Sequence, residues 1–261
     1  MICDLQKAGI WKRIAAFLLD IILIVIVATG VLTLLSWATG YDKYLDTYTG
    51  RMQAIEEDYG LIEAGVLEEN VHLTDLHGTE KYDALSQEKK TLFDQAWQAF
   101  REDREAMAAY NMMLSLLMLF TSIPVLVGYI VVEFIIPLIF KNGQTLGKKV
   151  FGIAVVRVDC VKVTPLQMFV RTLLGKYTIE AMVPLLLTVL YGWVGLVVLA
   201  GIAVLEVVVM VVSKNHSLIH DLLAGTVAVD MASQKIFESP EALLEYKKKL
   251  QAEAAAQSQY P

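Results

Sequence analysis

Apolar residues in this chain come in long runs rather than in the one-sided stripes of a soluble core. Ile14 to Trp37 holds a single charge, Asp20. Met112 to Phe140 holds only Glu133, and Ile179 to Ser213 holds Glu180 and Glu206. A hydrocarbon core about 30 Å thick needs about 20 residues of helix, so the first two runs each predict one span. The third carries Pro184 and then Tyr191-Gly-Trp-Val-Gly195 near its middle. A Gly-rich aromatic stretch of that kind suits a turn at the interface, which predicts two short helices, or one long kinked one. The expected fold is an all-α polytopic membrane protein with about four transmembrane helices, or three if the last run stays unbroken.

The pattern changes between the first two runs. Leu85, Leu92, Phe93, Ala96, Trp97, Phe100, Met107 and Tyr110 recur at spacings of three and four, an apolar stripe on one helix face. No proline intervenes between Tyr82 and Pro124, so this helix is expected to run unbroken into the second span. A second amphipathic stretch, Met52 to Glu69, is expected to fold back on it as a helical extracytoplasmic hairpin. The chain then divides into seven parts: 1–37, the N-terminus and first transmembrane helix; 38–111, the acidic helical insertion; 112–140, the second helix; 141–178, a basic loop; 179–213, the third and fourth helices; 214–233, a His-Asp/Gly-Thr segment; and 234–261, a charged tail. Within the basic loop, Leu166 to Lys176 predicts a helix lying on the membrane surface. Within the tail, Leu243 to Ala255 predicts a soluble helix.

Charge orients these spans. The chain is 56% hydrophobic with a mean hydropathy of +0.53, and its charges sit in blocks. Lys7, Lys12 and Arg13 precede the first helix, while Lys141, Lys148, Lys149, Arg157, Lys162, Arg171 and Lys176 follow the second against one acid, Asp159. Residues 38–111 carry 16 Asp plus Glu against 7 Lys plus Arg, a net of −9. Lys and Arg mark cytoplasmic loops, so both termini are expected in the cytoplasm of a protein in the cell membrane, with no nucleic-acid partner. The first run is longer than a cleaved signal core of roughly 7–15 residues, and no small-x-small site closes it; it reads as a retained helix. Cys3 and Cys160, the only cysteines, imply no disulfide framework.

Candidate chemistry is sparse. Gly143, Gln144, Thr145, Leu146, Gly147, Lys148 and Lys149 invite a phosphate-loop reading, but the glycines are too close and Lys149 stands where Ser or Thr is needed. A flexible basic turn near anionic headgroups is the expectation. His216 and His220 share a helix face at i and i+4, yet no other Cys or His stands near them in sequence, so no metal is expected. No nucleophile motif occurs, no cofactor is implied, and the chain reads as a non-enzyme. The acids inside the apolar runs are the exception, because a carboxylate at membrane depth normally faces the bundle, pairs, or takes up a proton. Asp20, Glu133 and Glu206 lie at similar depth and are candidates for an ion or proton pathway. Arg13, seven residues before Asp20, lies on the same face, and the two predict a polar knot.

Three stretches carry a resemblance: Lys12-Arg13-Ile-Ala-Ala-Phe-Leu-Leu-Asp20, then GQTLGKKVFG from Gly143 with Pro165-Leu and Arg171 after it, then His220-Asp221-Leu-Leu-Ala-Gly225-Thr226. In that order they resemble the RDD membrane proteins, with Arg13 at the Arg position, Asp20 at the first Asp and Asp221 at the second. Thr172 stands where the family commonly has Asn, and the insertion 38–111 is longer than the family pattern. The resemblance implies no single function: some members look like monovalent cation/proton antiporters, and others accompany envelope or secretion systems. Two readings follow. One is a cation/proton transporter or its subunit, a homo-oligomer in the lipid bilayer, using Asp20 and Glu133 with Arg13 tuning Asp20. The other is a non-catalytic scaffold, assembly or stress factor that binds a protein partner through the outer hairpin. In both, Asp221 is expected to reach Arg13 or Arg171 as a clasp, and Gly225 to end a short helix before a Val-rich segment that pairs with Val155 to Val158.

Overall fold

The computed structural model describes residues 5–140 and 142–258. Cys3 and Lys141, both used in the sequence reading, lie outside them. Four helices are long and apolar enough to cross a membrane: α1 (Ile10–Thr39), α6 (Arg104–Phe140), α8 (Pro165–Tyr191) and α9 (Trp193–Val212). They follow from the apolar runs, whose length exceeds a bilayer's requirement. Most of their outward side chains are exposed apolar residues such as Phe17, Leu196 and Val211, which suits lipid rather than water. Gly192 (φ 58°) stops α8, and α9 starts at the next residue; this left-handed turn breaks the third apolar run into two helices.

The third spanning helix starts earlier than expected. Leu166 to Lys176 is not a separate helix on the surface but the first part of α8. Thr164 caps it, its hydroxyl accepting from Gln167 N while Gln167 returns a bond to the Thr164 amide, with Pro165 at the first helical position. The surface-helix reading set Arg171 and Lys176 off its apolar face, with Arg171 also a candidate partner for Asp221. Both are buried against acids of other elements. Wide π-helical stretches run through Ile130–Ile135 of α6 and Val170–Met182 of α8. They meet where Thr172 Oγ1, in the second stretch, donates to Glu133 O, in the first, at 2.9 Å.

Between and after these helices the chain makes a small polar-lined cap. Helix α7 (Leu146–Val150) leads into strand β1 (Ile153–Arg157), and helix α10 (Ile219–Ala224) leads into strand β2 (Thr226–Asp230). The strands pair antiparallel, Ile153 opposite Asp230 through Arg157 opposite Thr226. Ala154, Val156, Val227 and Val229 bury one apolar cluster. Gly225 (φ 64°) ends α10 and releases β2, as its position in the sequence predicts. The N-terminal segment joins the ribbon, with Asp230 N donating to Gln6 O and Ala8 N to Ala228 O. Helix α11 (Pro240–Ser258) follows. Cys160 is buried.

The fold divides into two compact units, Thr33–Phe120 and the remainder. In Thr33–Phe120 the described elements are helical: α2 (Tyr41–Asp58), the short α3 (Leu73–Leu76) and α4 (Glu80–Asp83), and α5 (Gln87–Glu102), with the ends of α1 and α6. Phe93, Ala96 and Phe100 of the stripe are buried with Met52, Ile55 and Leu73, and Trp97 and Met107 pack against them. The stripe is largely enclosed by its own unit, with Tyr110 left exposed. It does not run unbroken into the second span: Asp103 separates α5 from α6, accepting from Ala106 N at 2.8 Å as a cap and pairing with Arg51. The second amphipathic stretch stops as helix at Asp58, and residues 59–72 fold as turns.

Candidate functional site

Asp20, nearly three turns into α1 and 1% exposed, is held by the GQTLGKK segment rather than by Arg13. Thr145 Oγ1 donates to Asp20 Oδ2 at 2.5 Å, Gly147 N donates to Oδ1 at 2.8 Å, and Lys148 Nζ lies 3.5 Å from Oδ2. A Cβ on Gly147 would come within 2.3 Å of Ala16 O and 2.8 Å of Asp20 Oδ1, so this close approach requires glycine. The expected flexible basic turn is therefore a buried clamp. Gln144 Nε2 fastens it from behind by donating to Ile153 O at 2.8 Å, and Lys149 lies over the Phe140 ring at 3.9 Å. The Arg13–Asp20 knot does not form. Arg13 donates instead to two carbonyls, His216 O at 2.7 Å and Ala228 O at 2.6 Å.

Glu133, 2% exposed, faces three cations. Lys148 Nζ donates to its Oε2 at 3.3 Å, Lys176 Nζ to its Oε1, and Arg171 Nη1 lies 3.9 Å from Oε2. Arg171 also closes the clasp expected of Asp221: its Nε donates to Asp221 Oδ1 at 2.8 Å, and Thr226 Oγ1 donates to the same oxygen at 2.9 Å. Burial alone would raise the Asp221 carboxyl. The charge of Arg171 and the hydrogen bonds from Arg171 and Thr226 outweigh it and hold the group below the usual carboxylate range. Lys148 moves the other way, because burial pushes its ammonium down to about 8 against the pull of Glu133 and Asp20. Asp20, Glu133 and Asp221 thus face Lys148, Arg171 and Lys176, three buried acids against three buried cations.

Beside this balanced network lies a different group. Glu180 of α8, Glu206 of α9 and His220 of α10 bring ligand-type atoms within 4.8 Å of one another. His220 Nδ1 is 2.8 Å from Glu180 Oε1, and Arg171 Nη2 is 3.2 Å from His220 Nε2. A guanidinium only donates, so Nε2 accepts and the ring hydrogen sits on Nδ1, directed at Glu180. The imidazole is neutral, which agrees with burial pushing its basicity down. Glu206 lies against Glu180, with carboxylate oxygens within 4.8 Å of each other. Its Oε2 accepts from Ile219 N at 3.1 Å, while no donor reaches its buried Oε1. Among the described residues no lysine or arginine forms an ion pair with Glu180 or Glu206. Two carboxylates in contact disfavour joint ionisation, so this pair can hold and release a proton.

Of the acids singled out in sequence, Asp20 and Glu133 fall in the balanced network and Glu206 in the pair. His216 does not join His220; its Nδ1 lies 3.0 Å from Met210 O. The role of Glu180 and Lys176 was missed because five residues in an α-helix turn a side chain about 140° away. That spacing sets Lys176 off the face of Arg171, whereas the π-helical stretch brings both to Glu133. The signal was present in the run of charges Arg171, Lys176 and Glu180 at intervals of five and four.

No curated protein and no solved structure matches the chain. Comparison with protein families matches residues 7–225 to the RDD family. That stretch holds Arg13, Asp20, the GQTLGKK clamp and the Arg171–Asp221 clasp, and the chain belongs to the RDD family of membrane proteins.

Proposed function

We propose that the protein exchanges a cation for protons across the cell membrane, as an antiporter or as a subunit of one, and that it is not an enzyme. The observation that carries this reading is Glu206: a carboxylate at membrane depth beside a second carboxylate, with one buried oxygen that no donor reaches. Such a group takes a proton or a cation. Asp20 and Glu133, the acids expected to exchange, are in this reading structural, because cations and hydrogen-bond donors already saturate them. Orientation follows the Lys and Arg bias, with both termini in the cytoplasm. Four spans make a thin wall for a pathway, so the working form is a homo-oligomer.

Purified protein in vesicles containing a pH dye tests the reading. A cation gradient is expected to drive proton movement in the wild type, and Glu206→Gln to abolish it while remaining folded. Proton movement equal to that of protein-free vesicles, or unchanged in Glu206→Gln, would overturn it. The docking reading gains no comparable support, because the apolar stripe of residues 85–110 is largely enclosed within its own unit.

A further inference from the structure

We infer that Glu180, Glu206 and His220 bind one divalent transition-metal ion of the zinc class. This deepens the exchange reading by naming the cation, and rests on it only for movement; binding stands or falls separately. Three spatially converging elements each supply one donor, and the donor atoms lie within 4.8 Å of one another. Two are carboxylates and one is an imidazole nitrogen. Imidazole suits zinc, copper, iron and nickel, while alkali and alkaline-earth ions prefer oxygen donors. Two carboxylates and one imidazole also leave a fourth tetrahedral position for water.

Charge points the same way. Asp20, Glu133 and Asp221 are already matched by Lys148, Arg171 and Lys176. With His220 neutral, ionised Glu180 and Glu206 leave a local excess of two negative charges, which one divalent ion neutralises. A monovalent ion leaves half of it. Glu206 Oε1, buried with no donor reaching it, is the acceptor atom that such an ion satisfies.

The proton balance closes on residues already at hand. In the metal-free arrangement the ring hydrogen is on Nδ1, between His220 and Glu180. Metal binding at Nδ1 requires that hydrogen to move to Nε2. Asp221 Oδ2 lies 3.7 Å from Nε2 and is the carboxylate placed to accept it, an arrangement that commonly orients a metal-ligating histidine. Arg171 gives up its bond to Nε2 and keeps its bond to Asp221 Oδ1. The histidine therefore loses no net proton, and the proton shared by Glu180 and Glu206 leaves to water.

Calorimetric titration of zinc into untagged, full-length protein in detergent tests the proposal. Wild type is expected to bind one ion per chain, with cobalt giving the absorption bands of a site with nitrogen and oxygen ligands. E206Q keeps the acceptor for Ile219 N and is expected to weaken zinc binding at least tenfold; H220Q is expected to do the same. If E206Q does not fold, E180Q takes its place. Saturating zinc should raise the melting temperature of wild type more than that of E206Q, and sodium should shift neither. Wild type that binds no zinc, or variants that bind as wild type does, would overturn the site. Zinc binding without ion flux would instead overturn the exchange reading and leave the site standing, whereas sodium-driven proton flux without zinc binding would do the reverse.

Discussion

Glu133 and Glu206 are the same residue type in apolar helices, and their surroundings make them opposites. Glu133 is enclosed by Lys148, Lys176 and Arg171, and Glu206 lies against another acid with one oxygen left without a donor. A buried acid is costly unless it is paired and hydrogen-bonded. The first group meets that requirement from within the protein, so it acts as a lock. The second meets it only by taking something up. Depth in the membrane and residue type, the two cues legible in sequence, do not separate them; the count of cations within reach does.

The comparison predicts a ranking of mutational effects. Glu133→Gln is expected to be the most damaging, because three cations then face each other with one fewer charge between them. Breaking a buried pair costs about 3–5 kcal/mol, which thermal unfolding in detergent should show as a large fall in melting temperature. Asp221→Ala is expected in the same range, since it leaves Arg171 without its hydrogen-bonded partner. A stability near wild type in either variant would dissolve the distinction between lock and pair.

Arg13→Ala should be milder. It removes two bonds from a half-buried guanidinium to carbonyls and frees the segment before α10, but it leaves no buried charge unpaired. Gly147→Ala is expected to cost about 1–3 kcal/mol by overpacking against the Ala16 carbonyl and Asp20, read as lower yield of folded protein. Glu206→Gln sits at the other end, changing stability by less than about 1 kcal/mol because it breaks no ion pair and relieves acid–acid contact.

The smallest effect concerns acid. Glu180, Asp221, Arg171 and Lys176 surround His220, and burial dominates in lowering its pKa below 6.5. The unfolded chain binds the histidine proton below that value and the folded chain resists it, so stability should fall as pH drops through 6.5. His220→Gln should remove that part of the slope, as followed by melting temperature between pH 7.5 and 5.5.

Most of the architecture was legible because lipid leaves few options for an apolar run. The four long apolar helices, the break at Gly192, and Gly225 releasing a strand all follow from patterns in the residues themselves. The start of α8 was not legible. Lys176 read as solvated until its partner Glu133, distant in sequence, is known, whereas Arg171 was already one of two expected partners for Asp221. The break at Asp103 was hidden for a related reason, since Asp103 is a cap whose partner is Arg51 of another helix. The Asp20 clamp was half legible: the GQTLGKK spacing rejected a phosphate loop, but nothing in it says that Thr145 and Gly147 turn toward an aspartate more than a hundred residues earlier.

Infrared spectroscopy of the protonated carboxyl band tests the central distinction without relying on transport. Metal-free wild type near neutral pH is predicted to show one such band, lost in Glu206→Gln and retained in Asp20→Asn, an acid of the lock. A band that survives Glu206→Gln and disappears in Asp20→Asn would contradict the account, because it would put the exchangeable proton in the lock.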